Sequence, residues 1–129
     1  MNGIRLIDYL DHMLDASKLA FGYLEHMNKV EFLADRRTQQ AVILNLIVIG
    51  GRAASKILQS HEDFLDLHPD IPWRSMKGMR NRMTHGYFDI NLDVVWDTVK
   101  NALPVLIERL PQIRDTPADE GDGREPTGF

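Results

Sequence analysis

The sequence predicts an all-α fold, and three observations support this prediction. Apolar residues recur every three or four positions along most of the 129-residue chain, as they do on one face of an α-helix. The longest apolar segment, residues 37–58, is too long for a single strand. A stripe of leucine, valine and tryptophan at the same helical spacing runs through residues 92–110. A chain of this length supports one core.

The first half of the chain contains two long predicted helices. Residues 4–27 form the first, with an apolar face made by Ile7, Leu10, Leu14, Phe21 and Leu24. Residues 31–35 form a short helical turn. Residues 37–58 form a third helix that is apolar almost all round, which indicates a central, buried element. Gly50 and Gly51 inside it each cost about 1 kcal/mol relative to alanine. We therefore expect them to permit a kink or the close approach of another backbone.

The second half begins with a predicted loop over residues 61–72, interrupted by Pro69 and Pro72. A fourth helix starts near Pro72 and ends near Gly86, and its Gly78 suggests a close helix crossing. Asp89 or Asn91 caps the last helix, which Pro111 closes. Its apolar stripe, typical of core packing, consists of Leu92, Trp96, Val99, Leu103, Leu106 and Leu110.

Composition excludes several classes of protein. The chain is 43% hydrophobic and 26% charged, as in ordinary soluble domains. It has no cysteine, which excludes disulfides and thiolate metal sites. We see no apolar run approaching the ~18 residues of a membrane span and no signal peptide, so we expect a cytoplasmic protein.

Charge is distributed unevenly along the chain. Five of the 19 acids but only one of the 15 bases lie within residues 115–129, so residues 1–114 are neutral. We expect a helical domain over residues 1–112 and a disordered acidic tail over residues 113–129. Residues 73–87 contain four bases and no acid: Arg74, Lys77, Arg80 and Arg82. Such a segment permits a local phosphate contact, or it is a solvated basic helix face.

The candidate site lies in this basic segment. On a helix, Arg80 belongs to an apolar stripe with Trp73, Met76, Met83 and Tyr87. A buried guanidinium needs a partner. We therefore expect Arg80 to face a subunit interface, a phosphate, or a carboxylate in a buried Arg–Asp pair.

His85 is the second candidate, five residues after Arg80 and about 140° around the helix. Because Gly86 is a natural helix stop, His85 would lie in a loosened last turn and could swing towards the arginine. Alternatively, it caps the helix dipole. The other histidines, His12, His26, His61 and His68, form no recognisable metal-ligand set.

These residues belong to a longer motif. The run Ile71-Pro72-Trp73-Arg74-Ser75-Met76-Lys77-Gly78-Met79-Arg80-Asn81-Arg82-Met83-Thr84-His85-Gly86-Tyr87-Phe88, followed by Val94-Val95-Trp96, resembles the HepT group of HEPN-domain proteins. The signature of that group is an arginine, four residues, a histidine, one residue and a tyrosine. The similarity in helical layout extends over about residues 4–110.

The resemblance implies an antiparallel bundle of four to five helices that pairs into a homodimer, with the two motifs facing each other in a cleft. It implies a cofactor-free, metal-independent ribonuclease that is the toxin of a toxin–antitoxin pair. The partner would be an MntA-like nucleotidyltransferase that silences the toxin by transferring AMP to Tyr87.

The expected chemistry is transesterification of RNA. Arg80 would clamp the phosphate and His85 would act as acid or base. Asn81 would orient, while Arg82 or Lys77 would contact the RNA backbone. A 2′,3′-cyclic phosphate would result.

One position departs from the family pattern. The family commonly has a glutamate where this chain has Gly51 or Arg52. This change favours the rival interpretation, a catalytically silent helical partner of a nucleotidyltransferase.

Overall fold

The fold is all-α, as the sequence predicts. The computed structural model describes residues 2–86 and 89–115, with the side chains of residues 2–5 and 52–55 left aside, and these ranges contain no strand. The α-helices are α1 (Asn2–Tyr23), α2 (Lys29–Leu33), α3 (Arg36–Ile47), α4 (Ser55–Ser60), α5 (Glu62–Leu67), α6 (Trp73–His85), α7 (Leu92–Asp97) and α8 (Leu103–Asp115). Two π-helical turns, π1 (Val48–Ala54) and π2 (Thr98–Ala102), join α3 to α4 and α7 to α8.

Helix α5 was missed by the sequence prediction, which assigned residues 61–72 to a loop. Glu62 and Asp63 lie in its first turn, where acids interact favourably with the helix dipole. Leu65 is buried, and the ring of Phe64 lies 6.0 Å from that of Trp73. Tertiary packing therefore stabilises a helix that is too short to show a clear period in sequence. With α5, the described residues form six continuous helical stretches.

Helix α1 is at the centre of the packing, against α3, π1 and α8. It ends at Tyr23, earlier than predicted. Ile7 was wrongly placed on its buried face, because this side chain is 44% exposed, whereas the neighbouring Leu6 is buried. The side chains of α1 that face the core are Leu6, Leu10, Met13, Leu14, Ala16, Ser17 and Ala20.

The predicted central helix spans α3, π1 and α4 without a break. Its side chains Val42, Leu46, Ile49 and Ile57 are fully buried. By length and composition the stretch Arg36–Ser60 could cross a membrane, with a mean hydropathy of 1.6 in its most apolar window, contrary to our expectation from sequence. About 43% of that window is buried inside the protein, where the stretch packs against α1 and α6.

Gly50 and Gly51 lie within π1, where α6 comes against the helix. A methyl group added at Gly50 would overlap the carbonyl oxygen of Met76. The close backbone approach expected from this glycine pair is confirmed.

The last helical stretch is capped by Asn91, whose Oδ1 accepts hydrogen bonds from the backbone N–H groups of Asp93 and Val94. Its predicted apolar stripe packs in the core. The prediction that Pro111 closes the helix is wrong, because Pro111 lies inside α8. Ile113 is buried, and Arg114 Nη1 lies 3.0 Å from Asp11 Oδ1 of α1. These contacts hold the turn beyond the proline, so the helix enters the segment predicted as tail. Residues 116–129 lie outside the described residues.

Helix α7 is held on the bundle by cation contacts. Lys100 Nζ donates a hydrogen bond to the carbonyl oxygen of Leu24, 3.1 Å away, at the end of α1. The same ammonium group lies 5.0 Å from the ring centroid of Trp96, within cation–π range. Lys29 and Asp93 form an ion pair between α2 and α7. These contacts hold α7, which lines a cleft between α6 and α7.

An ion pair holds the α5–α6 connection against α8. Arg109 Nε donates to Asp70 Oδ2 at 2.6 Å, and Arg109 Nη2 donates to Asp70 Oδ1 at 3.3 Å. The hydrogen bond from Arg109 holds the pKa of Asp70 below its usual value of 3.8. At the same connection, Trp73 Nε1 donates to the carbonyl oxygen of His68.

We predict that Asp70→Asn lowers the urea midpoint of unfolding at neutral pH. Because the folded pKa is depressed, the ion pair stabilises the fold above pH 3.8, and this contribution disappears as the pH falls through the folded value. The difference between wild type and variant should therefore vanish in acid. Asp66→Asn, on the exposed side of α5, is the control and should match wild type. Equal midpoints for Asp70→Asn and wild type at neutral pH would contradict the prediction.

Candidate active site on helix α6

Helix α6 carries the candidate residues and is fixed by an apolar face. Trp73, Met76, Met79 and Met83 are buried, and the predicted stripe is thus confirmed for its three apolar members within the described residues. Gly86 ends the helix, as predicted, with its backbone N–H donating to the carbonyl oxygen of Arg82. Tyr87, the predicted modification site, lies outside the described residues.

Arg80 lies on the side of α6 that meets π1. Its Nε is buried and has no hydrogen-bond partner. Its Nη1 donates to Asn81 Oδ1 at 2.8 Å. A methyl group added at Gly51 would lie only 2.7 Å from this Nε, so the arginine side chain occupies the space that a side chain at Gly51 would need.

No carboxylate neutralises Arg80 among the residues that the structure describes. The ion pairs there join other residues: Lys29–Asp93, Arg109–Asp70, Arg114–Asp11 and Arg114–Asp115. The buried Arg–Asp pair considered from the sequence is therefore absent from this part of the chain.

Three further candidate residues lie on α6 close to Arg80 in sequence. Asn81 and Lys77 are partly exposed, and Asn81 accepts the hydrogen bond from Arg80. Arg82 is exposed, and its Nη1 lies 3.4 Å from the position of a methyl group at Gly78. Among the described residues, no atom of another helix lies within 4 Å of that position, so the close helix crossing expected at Gly78 is not observed there. Instead, the guanidinium of Arg82 folds back along its own helix.

His85 is exposed in the last turn of α6 and lines a different surface. Together with Arg82 it borders a cleft of about 460 Å³ between α6 and α7. The apolar side chains of this cleft come from both sides: Met79, Met83, Ile90, Val94 and Val95. Asp89 and Asn91 add polar groups. The cleft combines two potentially cationic groups with an apolar lining.

Arg80 and His85 are not brought together within one chain. Arg80 contacts the glycine pair of π1, whereas His85 borders the α6–α7 cleft, whose lining does not include Arg80. His85 remains helical, so the expected loosened turn is not observed. The spacing of about 140° around α6 is preserved.

Within the described residues, no three histidine or acidic side chains come close enough to hold a metal ion. The candidate site is built from arginine, histidine and asparagine, whose chemistry is anion binding and proton transfer.

Comparison with known proteins assigns the family. A sequence model described as "Ribonuclease HepT-like" matches residues 13–113, which include all of α6. The chain belongs to the HepT-like ribonuclease family. It is 39% identical over 107 residues to "Probable ribonuclease HepT" of Thermococcus cleftensis, covering 83% of this chain and 94% of that protein. It is 36% identical over 108 residues to "Putative RNase MJ0127" of Methanocaldococcus jannaschii, covering 84% and 83%. No solved structure matches.

This HepT-like chain has features near the motif that the sequence did not reveal. The glycine pair was expected to contact a backbone, yet Gly51 contacts the side chain of Arg80. Asn91 was expected only as a helix cap, yet it also lines the cleft beside His85. Two adjacent glycines in an apolar helix were the available signal for the first feature, but nothing in the sequence indicated the second.

We predict that Arg80→Met raises the free energy of unfolding by about 1 kcal/mol. The substitution removes a buried, unsatisfied N–H of a charged group while keeping an apolar stem of similar length. Thermal or urea unfolding would measure the change. Arg74→Met, at an exposed position of the same helix, should change stability by less than about 0.5 kcal/mol. A clear loss of stability in Arg80→Met alone would show that the guanidinium makes favourable contacts.

Proposed function

We propose that this chain is an endoribonuclease that cleaves RNA without a metal ion, using Arg80 and His85. The observation that carries the proposal is the Arg80 guanidinium, which has no carboxylate partner in the described part of the chain and lies in an acid-free helix. The names of its relatives as ribonucleases agree with this reading. We expect the protein to act in the cytoplasm.

The reaction would use the nucleophile that RNA itself carries. The 2′-oxygen attacks the adjacent phosphorus, the bond to the 5′-oxygen breaks, and a 2′,3′-cyclic phosphate and a 5′-hydroxyl result. One group must take the proton of the 2′-hydroxyl, and another must give a proton to the 5′-oxygen. His85 can perform either role because histidine titrates near neutral pH. Arg80 would stabilise negative charge on the phosphate oxygens, oriented by its hydrogen bond to Asn81.

The α6–α7 cleft gives His85 a substrate-binding surface. A phosphate held by His85 and Arg82 would place the neighbouring nucleoside over the apolar side chains of Met83 and Val94. A base lying flat on these side chains would remove apolar surface from water. Lys77, one turn before Arg80 on the helix, would guide the RNA backbone.

A second copy of the chain would complete the site. Within one chain Arg80 lies against the glycine pair of π1, whereas His85 borders the α6–α7 cleft. In a homodimer with facing α6 helices, His85 of one chain could act on a phosphate held by Arg80 of the other. The dimer would also provide two histidines, one for each proton transfer.

In the cell we propose that the chain is the toxin of a HEPN/MNT toxin–antitoxin pair. An MntA-like nucleotidyltransferase would transfer AMP from ATP to Tyr87. In that step the phenolic oxygen attacks the α-phosphorus, diphosphate leaves and the phenolic proton is released. The new phosphate would lie two residues from His85, where its negative charge and bulk oppose the binding of RNA.

The rival function is a catalytically silent partner of the nucleotidyltransferase. It is favoured by the glycine or arginine at Gly51 or Arg52, where the family commonly has a glutamate. Expression of the chain alone in bacteria separates the two functions. Growth arrest by wild type, but not by Arg80→Ala or His85→Ala, supports the enzyme. Equal growth with all three chains supports the silent partner.

We predict that the purified chain cleaves single-stranded RNA in the presence of EDTA and leaves 2′,3′-cyclic phosphate ends. Arg80→Ala and His85→Ala should each lower the rate by at least about 100-fold, the effect typical of losing a proton-transfer or charge-stabilising group. Mass spectrometry of the fragments identifies the ends.

Two matched variants control for charge and histidine content. Arg74→Ala removes an exposed base from the same helix, and His12→Ala removes an exposed histidine from α1. Both should cleave at the wild-type rate. A requirement for added magnesium, or equal cleavage of DNA, would overturn the metal-independent mechanism.

We also predict that the nucleotidyltransferase, supplied with ATP and Mg²⁺, raises the intact mass of the chain by one or more AMP units and abolishes RNA cleavage. Tyr87→Phe should stay unmodified, whereas Tyr23→Phe, which removes an exposed tyrosine of α1, should be modified like wild type. Inhibition without any change in mass would show that complex formation, rather than AMP transfer, silences the chain.

A further inference from the structure

We propose that Gly51 is a positioning residue for Arg80, because the missing side chain at position 51 leaves the space in which the guanidinium stem lies. The functional part of this inference rests on the proposed role of Arg80 in RNA cleavage. Neither the motif nor the comparison with relatives assigns a role to Gly51.

The three atoms nearest to a Cβ built at position 51 all belong to the side chain of Arg80. A Cβ built on Gly51 would lie 2.7 Å from Arg80 Nε, 3.2 Å from its Cγ and 3.4 Å from its Cδ. Real Cβ atoms essentially never lie within 3.0 Å of a heavy atom of a residue that is not their neighbour in the chain. Since the end of an arginine is flexible, alanine at position 51 would displace the guanidinium while leaving the two helices in place.

Gly50, the preceding residue, has a different role. A Cβ there would overlap the carbonyl oxygen of Met76 and the Cβ of Arg80, which belong to the rigid part of α6. Alanine at position 50 would therefore force α6 away from π1. The two adjacent glycines thus separate two effects, helix packing at position 50 and placement of the arginine at position 51.

The side chain of Arg80 is held at two points. Gly51 lies against its stem and covers the buried Nε, and Asn81 accepts a hydrogen bond from Nη1. An arginine held in this way loses less conformational freedom when it binds a phosphate than an arginine that is free in solution. Within the described residues, the Nε of Arg80 is the one buried side-chain nitrogen or oxygen that has no hydrogen-bond partner.

The first test measures RNA cleavage by the full chain. Gly51→Ala should fold with a melting temperature close to that of wild type but lose about 10-fold or more in kcat/KM. In the Arg80→Ala background, Gly51→Ala should cause no further loss, because two residues that act as one unit are not additive. Gly22→Ala is the control, since a Cβ at that position meets nothing within 4 Å. Gly50→Ala should instead lower the melting temperature by at least about 5 °C.

The second test does not depend on catalysis. The Nε–H resonance of Arg80, assigned by its disappearance in Arg80→Ala, should exchange with solvent more slowly than that of the exposed Arg74. In Gly51→Ala, or in Gly51→Ser if the alanine variant is poorly folded, this protection should be lost.

The outcomes distinguish the inference from the proposed function. If Arg80→Ala cleaves RNA like wild type, the proposed function fails. Slow exchange of the Arg80 Nε proton would still support the positioning of Arg80 by Gly51. If Arg80→Ala is inactive but Gly51→Ala is fully active, or if the two losses multiply, the positioning role of Gly51 is overturned. Fast exchange of the Arg80 proton in wild type also overturns it.

Discussion

The close approach of α6 to the π-helical turn π1 is the contact on which the arrangement of the candidate site depends. It is possible because Gly50 has no side chain, so the backbone of α6 at Met76 can lie directly against it. Once α6 is fixed there, its buried methionines face the core and Arg80 is directed along π1. The same helix then presents His85 at its end, beside α7. A wider spacing between these two elements would leave Arg80 without a defined position.

Helical geometry divides the motif between two surfaces. Five residues separate Arg80 from His85, and on a regular helix this places them about 140° apart. The structure keeps α6 regular through His85, so local unwinding does not bring the two side chains together. This separation is the reason for proposing that a second chain completes the site.

Much of the fold could be predicted from helical periodicity and capping chemistry. The stripe from Val99 to Leu110 and the Asn91 cap are determined by local sequence, and both are observed. Helix α5 and the turn beyond Pro111 depend on contacts with distant residues, Trp73 and Asp11, which periodicity does not report. The candidate side chains could be named from the motif, but their surroundings could not. That Arg80 meets a glycine instead of a carboxylate depends on how two helices pack.

The position of Arg80 also bears on the missing family glutamate. In this chain a side chain at position 51 would occupy the space of the arginine stem, so a carboxylate there requires a different placement of Arg80. A carboxylate within reach of the guanidinium would orient it but would also compete with a phosphate for its N–H groups. With glycine at position 51, packing and the hydrogen bond to Asn81 orient the guanidinium. Among the described residues, no carboxylate then competes with a phosphate for its N–H groups. With the family glutamate aligned at position 51 rather than at Arg52, we therefore infer that its loss changes how the arginine is held. The buried Nε, which has no hydrogen-bond partner, carries a cost in stability.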